Sequence, residues 1–203
     1  MITKEYIISL SNNSQVKLSS PLEDILRGQE DASLRDPGFP AHYYRFLYAL
    51  AREVKPSVIV ELGTHTGISS ACLAEGAPRS RVITVNNKPE LWRSCERSNV
   101  EYYIQDSLEM VQGISTVDLL FIDTDHDGIH PLQEFELYKD KLSNDSIVLF
   151  DDINLFECMR KFWREFNPEG WEKFELPVHG NAGFGVLIKK TFEVEKEAHG
   201  HST

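Results

Sequence analysis

The ten-residue stretch Val58-Ile-Val-Glu-Leu-Gly-Thr-His-Thr-Gly67 restricts the fold of this chain more than any other part of it. Val58, Ile59 and Val60 are β-branched and apolar with turn or polar residues on either side, the pattern of a short buried strand. Gly63 and Gly67 follow at a turn, where a residue without Cβ admits positive φ and lets a ligand approach the backbone. The next run, Ile-Ser-Ser-Ala-Cys-Leu-Ala-Glu, reads as a helix whose free N–H groups face that turn. Strand, glycine turn and helix in this order open a ligand site in a parallel sheet. A phosphate loop would need Gly-Lys-Ser/Thr and a nicotinamide fingerprint Gly-x-Gly-x-x-Gly, and Glu61-Leu-Gly63-x-x-x-Gly67 fits neither. Standing alone, the segment fits an ordinary glycine turn equally well.

It does not stand alone. From Tyr43 onward apolar strand patterns alternate with helical ones, which predicts an α/β fold with a doubly wound, mostly parallel sheet. Strands are expected at 58–62, 81–85, 100–105, 117–122 and 146–150. Helices are expected at 43–54, 68–75, 89–97, 107–112, 131–142 and 155–166, with Pro89 and Pro131 at first-turn positions where a missing N–H costs nothing. Two further strands, 171–178 and 183–189, joined by a turn at Gly180-Asn181, would close the sheet with an antiparallel pair. In the first forty residues, 6–10 and 15–18 are read as a hairpin across Asn12-Asn13, and Pro37-Gly38-Phe39-Pro40 as a loop over the site mouth. The expected organisation is therefore an N-terminal hairpin or lid over 1–40, a single domain over 41–192 and a frayed polar tail over 193–203.

Composition narrows the class of function. At 203 residues, 41% hydrophobic and 26% charged, the chain suits one ordinary globular domain. No apolar run approaches the roughly 20 residues needed to cross a bilayer, and the residues after Met1 lack a signal-peptide pattern, so a cytoplasmic protein without a membrane partner is expected. The formal net charge of −11 disfavours nucleic acid, whose affinity depends on Lys and Arg neutralising phosphates. Cys72, Cys95 and Cys158 are widely spaced, without a Cys-x-x-Cys pair, and point neither to a disulfide framework nor to zinc.

Two acidic clusters carry the most specific chemical signal, each placed directly after an expected strand. Val117-Asp-Leu-Leu-Phe-Ile-Asp-Thr-Asp-His126 ends in Asp123, Asp125 and His126, and Ser146-Ile-Val-Leu-Phe-Asp-Asp152 ends in Asp151 and Asp152. Ligands of open α/β sheets bind outside the carboxyl ends of the strands. If the two strands are neighbours, about 4.8 Å apart, Asp123 and Asp151 share one small volume and raise each other's proton affinity unless a cation lies between them. Oxygen ligands without cysteine suit magnesium, calcium or manganese better than zinc. Such a cation would lower the pKa of a chelated hydroxyl, and His126 titrates in the range to receive its proton. Aspartates also cap helices, and Asp125, Asp127 and Asp152 suit that role as well. His42, His65, His130 and His179 are read as structural or solvated. Tyr43, Tyr44, Trp163 and Trp171 are read as core rather than as pocket or interface.

These motifs resemble those of class I S-adenosylmethionine-dependent methyltransferases. Glu61-Leu-Gly-Thr-His-Thr-Gly67 is similar to their first motif, and Phe-Ile-Asp-Thr-Asp-His126 and Ile-Val-Leu-Phe-Asp-Asp152 are similar to the fourth and fifth motifs of the metal-dependent O-methyltransferases, both catechol-type and small sugar- or macrolide-modifying relatives. Phe162-Trp-Arg-Glu-Phe and His179-Gly-Asn-Ala-Gly-Phe-Gly-Val resemble the closing segments of the sugar branch, as does the pairing of Asp152 with His126, where the catechol branch has Asn and Lys. The resemblance implies a seven-stranded sheet with an antiparallel last strand and O-methylation of a small-molecule hydroxyl. It implies that Asp123, Asp151 and Asp152 ligate Mg2+ or another divalent cation, with His126 and Asp123 catalytic. It also implies that Glu61, Gly63, Thr64 and Gly67 surround the methionine part of S-adenosylmethionine, that Asp106 accepts from the adenine amino group, and that Asp123 borders the cofactor. Asn86 departs from the family, which has an acid there to hold both ribose hydroxyls; an uncharged amide makes weaker bonds to them, and Asn86-Asn87 also suits a plain turn. Two other readings stay open: a metal-binding group-transfer or hydroxylase-like relative with altered cofactor use, and a non-catalytic binding subunit of the same fold. The acceptor and the oligomeric state, a homo-oligomer included, have no motif.

Overall fold

The computed structural model describes residues 2–12, 16–35, 42–88 and 96–190. Seven strands alternate with helices along it: β1 Val58–Leu62, β2 Arg81–Asn86, β3 Val100–Ile104, β4 Val117–Ile122, β5 Leu142–Phe150, β6 Trp171–Leu176 and β7 Phe184–Lys189. The helices are α1 Lys4–Ser11, α2 Ser20–Arg35, α3 His42–Val54, α4 Ile68–Gly76, α5 Ser107–Met110, α6 His130–Tyr138 and α7 Glu157–Glu165.

The strands form one sheet in the order β3-β2-β1-β4-β5-β7-β6. β1 to β5 pair in parallel, and β7 runs antiparallel to both β5 and β6. Side chains along a strand alternate between faces, and the core divides accordingly. Ile59, Val82, Leu119, Phe121, Ile147 and Leu149 join the side covered by α1 to α4. Val60, Ile83, Leu120, Ile122, Val148 and Phe150 join the side that holds Met110 of α5, Phe135 and Tyr138 of α6, and Phe162 and Trp163 of α7. Burial on both faces is why these strands read as continuous apolar runs rather than as alternating ones.

The expected strands and helices recur with shifted ends. β5 starts at Leu142, ahead of the expected 146, because the chain bulges where Val117 pairs Leu142 and Leu119 pairs Ile147. Opposite the bulge, Asp118 leaves the ladder to accept the N–H groups of Ser57 and Val58 at 2.8 and 3.0 Å. α6 ends at Tyr138 and tightens into a 3-10 turn over Lys139–Lys141. The helix expected at 89–97 falls largely outside the described residues, as do Pro37-Gly38-Phe39-Pro40 and the tail.

The N-terminal hairpin is a correction: residues 6–10 lie in helix α1. Thr3 caps it by accepting the N–H of Tyr6, Glu5 occupies the first turn, and Asn12 keeps a right-handed helical conformation instead of making a hairpin turn. Ile7 is fully buried, with Ile8 and Leu10 packed on the same core, so the apolar spacing served a helix face rather than a strand. α2 follows, held to α3 by a two-pronged ion pair between Glu23 and Arg45, both contacts at 2.9 Å.

Candidate active site

Strand order reverses direction between β1 and β4, and the pairing of the strands continues for one residue beyond their ends. Gly63 N–H donates to Val85 O at 2.9 Å, Asp123 N–H to Leu62 O at 2.8 Å, and Asp151 N–H to Ile122 O at 3.0 Å. Gly63, Asp123 and Asp151 thus stand side by side at the carboxyl edge, with Asn86 and Asp106 beyond them on the β2 and β3 side. A ligand crevice belongs at such a reversal point.

On the β1 side the turn is tight. Gly63 has φ +100°, and a Cβ there would lie 1.7 Å from the carbonyl oxygen of Asp123, so only glycine lets β1 leave the sheet against the next strand's tip. Gly67, at φ 74°, begins α4, and no side chain caps that helix end. Beneath the turn Glu61 is fully buried. Its Oε2 accepts from Thr84 Oγ1 at 2.6 Å and from Ser70 Oγ. Thr84 donates its one proton to Glu61, so Thr64, 2.6 Å away, donates to Thr84. Burial pushes the Glu61 carboxyl up to about 7 against the pull of Ser69, Ser70 and Thr84, and Asp123 adds to the rise. Its Oε1 is buried with no hydrogen-bond partner. The orphaned acceptor fits a ligand's positively charged amino group, and the uncapped helix start fits an anionic group such as a carboxylate.

Asn86 ends β2 with its amide donating to Lys88 O at 2.9 Å, so the turn expected at Asn86-Asn87 is present in the same place as the expected ribose contact. Asp106 is exposed and caps α5, accepting the N–H of Leu108 at 2.8 Å.

On the β4 and β5 side the acidic residues do converge. His126 Nε2 lies 3.6 Å from Asp123 Oδ1 and 3.5 Å from Asp152 Oδ2, ion-pair distances rather than hydrogen bonds. Burial alone would lower the imidazole's pKa, but the carboxylates of Asp123, Asp152 and Asp125 outweigh it and the net shift is upward. Asp151 is buried, and burial, followed by the like charges of Asp123 and Asp152, holds its carboxyl well above the usual aspartate range. Asp152 adopts φ 53°, a strained left-handed conformation for a non-glycine residue. Asp127, weighed as a helix cap, accepts the N–H groups of Ile129 and His130 just ahead of α6, both at 2.8 Å, while Ile129 holds the N-cap position itself. Among the described residues no group of three or more His, Cys, Asp or Glu side chains is gathered as a ready metal cage.

Several neighbours went unread in the sequence. Phe156, half exposed, lies 6.3 Å from His126 ring to ring, and Cys158 Sγ donates to the His126 carbonyl at 3.2 Å. Tyr43 and Tyr44 of α3, assigned to the core, have hydroxyls whose pKa values rise mainly through burial and further through Asp151 and Asp123, so both hydroxyls lie within electrostatic reach of the acids. No local pattern marks these residues; they meet the site only through packing.

The strand order with its antiparallel last strand is the fold of class I methyltransferases. Residues 60–153 match the family model described as a methyltransferase domain. The O-methyltransferase hkm8 of Aspergillus hancockii is 27% identical over 139 residues, 62% of this chain; the chain spans 55% of that relative's length. Among solved structures, PaMTH1 of Podospora anserina bound to S-adenosylhomocysteine superposes with a TM-score of 0.70 at 16% identity, covering 94% of this chain and 98% of that one. TomG of Streptomyces achromogenes, an O-methyltransferase in complex with S-adenosylmethionine, gives 0.68 at 19% identity over 94% and 100% of the two chains. At these identities the likeness is one of fold. No helix of the described residues is long and apolar enough to cross a membrane.

Proposed function

We propose that the chain is an S-adenosylmethionine-dependent O-methyltransferase that acts on a hydroxyl of a small molecule, a sugar, diol or catechol-like compound, with a divalent cation such as Mg2+ held by Asp123, Asp151 and Asp152. The observation that carries this reading is the row of strand tips: a buried, half-satisfied Glu61 under a glycine turn, one register step from a carboxylate and histidine cluster. The net charge of −11 supports a small-molecule acceptor over nucleic acid.

The donor set fits a hard cation, because Asp151 is buried beside two like charges that a cation would relieve. When bound, the cation supplies acidity to the acceptor hydroxyl and countercharge to the three carboxylates. Glu61, Gly63, Thr64 and Gly67 hold the methionine end of the methyl donor, and Asn86 and Asp106 face its ribose and adenine. Asp123, between both halves, orients the acceptor oxygen towards the sulfonium methyl, and positioning contributes much of the rate. His126 receives the hydroxyl proton, with Asp123 and Asp152 stabilising the resulting imidazolium.

Methyl transfer to a panel of vicinal diols, sugars and catechols is the test. Turnover is expected to vanish with EDTA and in Asp151→Ala, and to fall roughly 100-fold or more in His126→Ala. Turnover undiminished by EDTA and by Asp151→Ala would remove the metal from the mechanism, and absence of S-adenosylhomocysteine binding by calorimetry would remove the methyl donor.

A further inference from the structure

A second carboxylate, outside the site described above, links the two halves of the crevice. Glu134 on α6 is fully buried, and each of its oxygens has its own donor from a different strand-end turn. Ser107 Oγ, next to Asp106, lies 2.6 Å from Oε1, and Thr124 Oγ1, next to Asp123, lies 2.7 Å from Oε2. His130, one turn earlier on the same helix, reaches Oε1 at 3.2 Å and Ser107 Oγ at 3.2 Å. Tyr138, one turn later, donates its hydroxyl to the Ser107 carbonyl at 3.0 Å. One face of α6 therefore grips the residue after the adenine-side acid and the residue after the acceptor-side acid at once.

We propose that Glu134 is a positioning residue that couples the Asp106-Ser107 turn to the Asp123-Thr124 turn, so that cofactor engagement on one side sets the acid on the other. The inference rests on the cofactor reading above. The physical basis is the cost of the alternative: if either turn shifts, a buried carboxylate loses a charge-assisted hydrogen bond with no water to replace it. The two turns move together or Glu134 is left exposed to that penalty. Neither hydroxyl is needed to complete the sheet, which is already paired beneath them through Gln105 N–H to Asn86 O and Asp123 N–H to Leu62 O.

A double-mutant cycle on S-adenosylhomocysteine affinity, read by calorimetry, tests the coupling. Ser107→Ala and Thr124→Val each remove one hydroxyl, and Glu134→Gln keeps the shape of the carboxylate. Thr124→Val is expected to weaken binding roughly threefold to tenfold although Thr124 sits on the acceptor side, and the double variant is expected to lose less than the product of the two singles. In the Glu134→Gln background the cycle should become additive. Additivity in the unaltered background, or binding untouched by Thr124→Val and Glu134→Gln while their melting temperatures fall, would reduce Glu134 to a structural role and overturn the coupling alone. Absence of S-adenosylhomocysteine binding by the unaltered protein would overturn the cofactor reading and the coupling together.

Discussion

The two halves of the crevice bury acid in opposite ways. Under the tips of β1 and β2, Glu61 is surrounded by neutral hydroxyls, with Thr84 and Ser70 donating to it and Thr64 supporting Thr84. At the tips of β4 and β5, Asp151 is surrounded by like charges, and the imidazole of His126 lies at ion-pair distance from Asp123 and Asp152. Hydroxyl donors partly offset the burial of a lone carboxylate, whereas a knot of carboxylates is relieved only by a proton or a cation. The first half is built to hold a shape, and the second to exchange its countercharge.

Gly63 joins the halves, so it offers the largest break. Gly63→Ala would set a Cβ 1.7 Å from the Asp123 carbonyl at φ +100°, backbone against backbone. The expected loss is roughly 3 kcal/mol or more in urea denaturation, together with cofactor binding; unchanged stability would mean that the tips are not locked against each other.

Glu61→Gln sharpens the contrast through pH. A carboxyl whose folded pKa is raised from 4.5 to about 7 contributes stability that is fully present below pH 4.5 and lost as pH rises through 7. The glutamine variant should match the parent near pH 4.5 and gain on it up to about pH 7, by at most roughly 3 kcal/mol, while binding S-adenosylhomocysteine less well. A stability difference flat with pH across that window would show that the hydroxyls fully offset burial.

Asp151→Asn probes the other half. Its carboxyl is also raised, so the same sign applies: stability is greatest below the ordinary aspartate range and declines as pH rises. In EDTA near neutral pH the variant should be more stable than the parent. Addition of Mg2+ should raise the melting temperature of the parent and not that of the variant. Equal shifts in both would take Asp151 out of the ligand set.

Much of this could be read from the chain without coordinates. The β-branched runs at Val58–Leu62 and Val117–Ile122 fall where the sheet has them, because strands buried on both faces show uninterrupted apolar segments. Asp123 and Asp152 meet at His126 because both acids follow a strand end and the strands are neighbours, whereas the pairing expected from the chain is Asp123 with Asp151. Residues 6–10 misled because Ile7, Ile8 and Leu10 satisfy helix spacing as well as a short strand's, and the deciding Thr3 cap and the packing against α3 are not periodic signals. Glu134 gives no sequence signal for a related reason: a glutamate on a helix is ordinarily solvated, and only burial distinguishes this one.

The order of amino acids by itself determined the alternation of strand and helix, the glycine turn and the acids at the strand ends, since each depends on residues close along the chain. Tertiary structure decided which carboxylates share a volume, which pKa values rise, and that one face of α6 holds two turns together. Those depend on burial and on distances between segments far apart in sequence, for which no local pattern is a substitute.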